Sequence, residues 1–377
     1  MSTRGLEGVV AAQTELSKVY GEEGRLIYRG YEIGDLAEHT TFEEVCHLLW
    51  NGDLPDAGAL DALRGRFAEE RSVDDRLIEL LRGLPRETHP MAALRTAVSA
   101  AGCFDPDAEK MDQESNRRKA LSITAKAATL TAAWQRIREG KDPVAPSPEL
   151  GHAENLLYMM TGERPDEISA RTMDVALILH AEHGMNASTF SARVTIATLS
   201  DMYSAVTTAL GTLKGPLHGG ANQRVMKMLH EIGEKEAAEA WVMDALGRGE
   251  KIMGFGHRVY RALDPRARIL RRMAEELGER EGQTRWIDLS SRVAEVMGEE
   301  MERRGKPIYP NVDFYSASVY YTMGIPTDLF TNIFACARAA GWTAHVLEQL
   351  ADNRLIRPRA EYVGATDRTV RPIEQRG

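Results

Sequence analysis

The chain has 377 residues, of which 43% are apolar and 27% charged, and it carries a net charge of −9. This is the make-up of a soluble globular protein with two domains, or one large domain carrying a smaller one. The acidic balance excludes a general nucleic-acid or membrane-surface role, so an anionic ligand must meet a local group of Arg and Lys. Cys46, Cys103 and Cys336 are scattered, odd in number and without CxxC spacing. Neither a disulfide framework nor a zinc site is indicated, and a reduced cytoplasmic setting is expected. No run of 18 apolar residues occurs, and the first residues lack the apolar stretch of a signal peptide.

Residues 1–35 are punctuated by Gly5, Gly8, Gly21, Gly24, Gly30 and Gly34 around pieces such as Leu26-Ile27-Tyr28. They read as short strands and turns. From Thr41 the pattern is helical, with Thr41 as cap ahead of Glu43 and Glu44. Further helices are predicted at about 57–71, 74–83, 91–102 and 115–139, then a proline-rich loop over 140–150. Asp166 caps a helix reaching His180, and Asn186 or Ser188 starts one reaching about Leu210. A Gly-Pro break, Lys214 to Asn222, holds His218 at a loop-to-helix junction before Val225, Met226, Met228, Leu229 and Ile232. A second break, Lys251 to Tyr260, holds His257. Asp264-Pro265 then opens a helix of about 266–279, with Pro265 at its favoured first position. A helix of about 284–304, a double-proline lead-in to Asp313, and a last helix of about 327–351 follow. The charged tail from Arg357 is expected to be a docked arm or disordered. Without βαβ alternation, a parallel sheet is not expected.

Of ten histidines, His183, His218 and His257 sit at glycine-flanked junctions, whereas His39, His47, His89, His152, His230 and His345 look bland. The plain reading of the His218 stretch is a structural loop. The functional one is a neutral imidazole, kept so by a helix N-terminus, that donates to a developing oxyanion. His180 and His183 are three apart, but no third metal ligand lies at a usual spacing, so no metal is expected. An Asp at a helix start is most simply an N-cap. Placed among Val312, Phe314 and Tyr315, Asp313 also suits a base whose affinity for a proton is raised by desolvation. Arg266, Arg338 and Arg357 lie at or near element ends; as a set they can hold carboxylates through bidentate forks.

In this order these stretches resemble the citrate synthases. The resemblance rests on His180–Thr189 (HAEHGMNAST), Gly215–Asn222 (GPLHGGAN), Met253–Tyr260 (MGFGHRVY) with Asp264–Arg266, and Asn311–Ser316 (NVDFYS). Gly341–His345, Arg357–Arg359, Gly5–Val9 and Tyr28–Tyr31 add to it, so it spans nearly the whole chain. Glu182 departs from the Asp more often expected there. Without the longer N-terminal β-domain of hexameric, NADH-inhibited members, the chain looks like the shorter dimeric type.

The resemblance implies an all-α, two-domain fold with a few short N-terminal strands. Residues 1–220 and 328–377 would form the large domain and C-terminal arm, and 221–327 the small domain. It implies condensation of acetyl-CoA with oxaloacetate and hydrolysis of citryl-CoA, with Asp313 as base, His218 on the thioester oxygen and His257 on the ketone. His183, Arg266 and Arg338 would bind the carboxylates of oxaloacetate, as would Arg357 supplied by the second subunit of a homodimer. The loop Lys251, Ile252, Met253, Gly254, Phe255 would run along coenzyme A, with Lys251 or Lys306 near its phosphates. Coenzyme A is a co-substrate here and no tightly bound cofactor is implied. The alternatives are a 2-methylcitrate synthase using propionyl-CoA, a dual-specificity enzyme, or a non-catalytic CoA-binding homologue. Phe314-Tyr315-Ser316 leans toward citrate, and the intact His218, His257 and Asp313 lean against a dead homologue.

Overall fold

The structure, a computed structural model, describes residues 4–6, 8–257 and 259–376. Glu7 and Arg258, which belong to two of the family-like stretches, lie outside the described residues, as do Met1 to Thr3 and Gly377. A small antiparallel sheet comes first. Its strands are β1 (Ser17–Tyr20), β2 (Arg25–Tyr28) and β3 (Tyr31–Glu32), with β2 in the middle. The regular elements that follow among the described residues are helices. The first group is α1 (Ile33–His39), α2 (Phe42–Asn51), α3 (Ala57–Glu70), α4 (Asp75–Arg82), α5 (Pro90–Phe104), α6 (Gln113–Arg138), α7 (His152–Thr161), α8 (Glu167–His180), α9 (Ala187–Ile196) and α10 (Met202–Leu213). Then come α11 (Ala221–Ile232), α12 (Ala238–Gly247), α13 (Pro265–Glu281), α14 (Arg285–Arg303), α15 (Val312–Thr322) and α16 (Phe330–Ala351).

The capping chemistry accounts for most of these boundaries. Glu44 reaches back to the Thr41 backbone N–H at 2.7 Å, closing a capping box on α2. Asp166 accepts from Ile168 and Ser169, and Asp264 accepts from Arg266, as their positions predict. Helix α16 is apolar nearly all round and accordingly buried. It lies against α2, α6, α8, α9 and α10. Helices α11, α13 and α14 gather on α15, and α12 packs on α14. Helix α13 also packs on α8 and α1, and α11 touches α16.

Four expectations need correction. The glycine-punctuated opening gives way to helix already at Ile33, because Ile33, Leu36 and Ala37 form a buried face. Two further helices, α7 and α12, were not anticipated. The helix expected from about 186 to 210 is two. It stops at Ile196, turns through Leu199 with φ 62°, and restarts behind an Asp201 cap. Asp313 is not the cap of α15 either; Asn311 is, accepting from the Asp313 N–H at 3.0 Å. The tail beyond Asn353 is extended and almost wholly exposed, with one short turn at Ile373–Gln375.

Candidate functional site

His218 ends the turn that leaves α10. Its own N–H and that of Gly219 both donate to the Gly215 carbonyl. A Cβ on Gly219 would overlap the Leu213 carbonyl oxygen, so glycine is what lets the chain fold back there. The His218 Nε2 accepts from the backbone N–H of Ser188 at 3.2 Å and lies 2.8 Å from the Ser188 hydroxyl. An Nε2 that accepts a backbone N–H carries no proton, so in the neutral ring the proton sits on Nδ1. Ser188 is held in turn by Trp342 Nε1, which donates to its hydroxyl at 3.0 Å, and by Asn186. Sequence reasoning missed Ser188 because a Ser at a helix start has an ordinary explanation as a cap.

His257 has the opposite tautomer. Its Nδ1 accepts from the N–H groups of Val259 at 3.0 Å and Tyr260 at 3.1 Å. The proton of the neutral ring is therefore on Nε2. Burial, reinforced by Arg266, draws the ring down to about 4, so it is neutral at pH 7. His183 stands edge-on to it with ring centres 5.2 Å apart, and its Nε2 is 3.4 Å from the Tyr260 hydroxyl. Burial and then Arg266 hold His183 well below its ordinary range. His180 does not share this face. It is the last residue of α8, fully buried against Phe334 and Tyr320, with Nδ1 2.7 Å from the Ala176 carbonyl. Among the described residues no three His, Cys, Asp or Glu side chains converge as metal ligands.

The two arginines differ. Arg266 is buried, and its fork closes on Asp264 through Nε at 3.0 Å and Nη2 at 2.8 Å. Burial alone would lower it, but the Asp264 carboxylate more than reverses that. Arg338 is equally buried yet meets no carboxylate among the described residues. Its Nε donates to the His180 carbonyl at 2.6 Å and its guanidinium lies 4.6 Å from the Phe334 ring centre. Burial lowers it to about 10, with the Glu182 carboxylate partly opposing the shift, so it remains a cation at pH 7. Arg357, by contrast, is exposed in the extended tail.

Asp313 sits in the first turn of α15 with its carboxylate half-buried. Burial pushes it up to about 6, against the pull of Arg266. The segment before it is fastened to the His257 loop. Gly256 N donates to Tyr309 O, Asn311 N to Gly254 O, and Asn311 Nδ2 to Gly256 O, all at 2.9–3.0 Å. The rings of Phe255 and Phe314 meet edge to face at 4.7 Å. Asp313 and His257 are thus parts of one loop pair. Phe314 and Tyr315 point into the core rather than the open space. Along 251–255, Ile252 and Gly254 are buried, whereas Lys251 and Lys306 are exposed.

A carboxylate with raised proton affinity, two neutral imidazoles presenting opposite nitrogens, and an unpaired buried guanidinium are the parts needed to deprotonate carbon and bind a small dianion. The family described as "Citrate synthase, C-terminal domain" matches residues 5–359. The chain belongs to the citrate synthase family. A citrate synthase of Haloferax volcanii is 52% identical over 99% of this chain and 98% of its own length. Citrate synthase 2 of Bacillus subtilis is 50% identical over 100% and 99%. A 2-methylcitrate synthase 2 of Corynebacterium glutamicum is 44% identical over 99% and 97%. Among solved structures, Pyrobaculum aerophilum citrate synthase superposes with a TM-score of 0.93 at 41% identity, covering 99% of this chain and 95% of that one. The Thermoplasma acidophilum citrate synthase, in a ternary complex with carboxymethyl coenzyme A and oxaloacetate, gives 0.92 at 33% identity, with full coverage of both chains. Membership in the citrate synthase family accords with the helical fold and with the order of the site-bearing loops.

Proposed function

We propose that the protein joins acetyl-CoA to oxaloacetate and hydrolyses the citryl thioester to citrate and CoA. What supports this is an Asp313 poised near 6 together with a His218 whose Nε2 accepts a backbone N–H, which leaves its proton on Nδ1. Asp313 takes a proton from the acetyl methyl group while His218 Nδ1–H stabilises the oxygen of the enol that forms. The enol carbon bonds to the ketone carbon of oxaloacetate. His257 donates from Nε2 to the ketone oxygen and is the proton source for the new alkoxide. His183, Arg266 and Arg338 hold the carboxylates, Arg338 most directly because no acid occupies it. Coenzyme A lies along Lys251 to Phe255 as a co-substrate.

Residues 221–327 act as the small domain, closing over the cleft between them and the rest of the chain. Arg357 completes the site of a second copy in a two-fold dimer. No helix among the described residues is long and apolar enough to cross a membrane, in keeping with a cytoplasmic enzyme.

The test is release of CoA thiol with oxaloacetate, comparing acetyl-CoA and propionyl-CoA by kcat/KM. A marked acetyl preference supports the reading, and no turnover with either would sink it. The 2-methylcitrate reading is kept because relatives so named are 44–45% identical. One methyl group distinguishes the substrates, worth about 1–3 kcal/mol.

Two variants test its parts. Gly219→Ala should displace His218 and lower turnover by about a hundredfold, while the far-ultraviolet dichroism of the helices stays unchanged. Mixing an Arg357→Ala chain with an Asp313→Ala chain should restore activity that neither has alone. A mixture as inactive as its parents would rule out a site shared between subunits.

A further inference from the structure

We propose that the N-terminal hairpin of β1 and β2 is a positioning element that fixes His183 against His257; this rests on the condensation argued above. Ser17 and Tyr28 are directly opposed across the two strands, which puts their side chains on one face. Both hydroxyls go to the loop after α8. Ser17 Oγ accepts from the Gly184 N–H at 3.0 Å and donates to Glu182 Oε1 at 3.0 Å. Tyr28 Oη donates to the Glu182 carbonyl at 2.7 Å and lies 3.2 Å from the Glu182 N–H. The residues on each side of His183 are therefore both pinned to the hairpin.

The turn of the same hairpin holds the other loop. The Gly21 carbonyl accepts from Arg261 N at 2.9 Å and Ala262 N at 3.4 Å. A Cβ on Gly21 would overlap the Val259 carbonyl oxygen, so the two backbones lie flush, with His257 just upstream. One end of the hairpin grips residues 182–184 and the other residues 259–262. Glu182 explains its own departure from the family resemblance. Its carboxylate spans from Ser17 to His345 Nε2, 3.1 Å away. His345 Nδ1 is 3.0 Å from Arg193, which pairs with Glu348, and Glu348 receives the Glu15 N–H at 2.8 Å. The chain just ahead of β1 is thus anchored to the same buried network.

The experiment is steady-state kinetics on Ser17→Ala, Tyr28→Phe and Gly21→Ala in the full-length chain. KM for oxaloacetate should rise by about tenfold or more, with KM for acetyl-CoA shifting less than about twofold and the thermal midpoint of Ser17→Ala unchanged. Ser17→Thr, which keeps the hydroxyl, should recover most of the loss. Equal shifts in both KM values, a loss that tracks the midpoint, or no change at all would overturn the proposal. Calorimetric titration of oxaloacetate separates it from the reaction itself. If the unsubstituted chain binds oxaloacetate without turnover, the condensation fails and the hairpin is judged by the variants' binding constants. If it does not bind, both fail.

Discussion

Asp313→Asn should cut kcat by about three to four orders of magnitude, the upper range for losing a general base, while oxaloacetate binding stays close to that of the unsubstituted protein. The amide keeps the shape and cannot accept the methyl proton. The variant should also be the more stable protein at pH 7. The native carboxyl is raised from an ordinary value to about 6 by burial. The folded state therefore holds this proton more tightly than the unfolded state, and stability from this group falls as pH climbs from about 4 to 6. Asn never ionises and removes that cost, on the order of 2 kcal/mol at neutral pH. For the unsubstituted enzyme the same shift predicts that kcat/KM declines as pH drops through about 6, since only the anion is a base. Stopped-flow CoA release across pH 5–8, beside thermal melts of both proteins, reads both effects. A kcat/KM flat down to pH 5, or an Asn variant less stable than its parent, would count against this assignment of Asp313.

His218→Ala should cost about 10²–10³ in kcat, the range for removing one donor aimed at a developing oxyanion. The loss should not be recovered by raising acetyl-CoA, because the interaction strengthens only as charge builds. Ser188→Ala gives the finer reading. It keeps the backbone N–H that makes Nε2 an acceptor and loses the hydroxyl between His218 and Trp342. The tautomer survives and the ring loosens, so its loss should be smaller than that of His218→Ala. A Ser188→Ala enzyme as dead as His218→Ala would mean that the hydroxyl, not the amide, sets the imidazole.

Much of this was legible before folding. Asp and Thr caps, the Asp264-Pro265 start and the glycine-flanked histidines are local signals, and the chain obeys them. What was illegible depends on distance. No Gly or Pro marks the break at Leu199; its one local signal is Asp201, which caps the second helix, and α9 and α10 pack on each other across the turn. Asn311 and Asp313 are equally good caps two residues apart, and only the register of α15 decides between them. His345 looked bland because its partner, Glu182, is 163 positions away. Arg266 and Arg338 read alike in sequence, yet one is neutralised by a neighbour two residues back and the other makes no ion pair among the described residues.

Arg338, Trp342 and His345 lie four and three residues apart on α16, on one helix face. Through them a single rod touches the His180 carbonyl, the serine behind His218 and the carboxylate beside His183. That rod is also the most enclosed helix of the fold, so its amides should exchange with deuterium only through global opening. Competence in this enzyme is then expected to be lost at one temperature with the fold, with no heat-inactivated yet still native form below it.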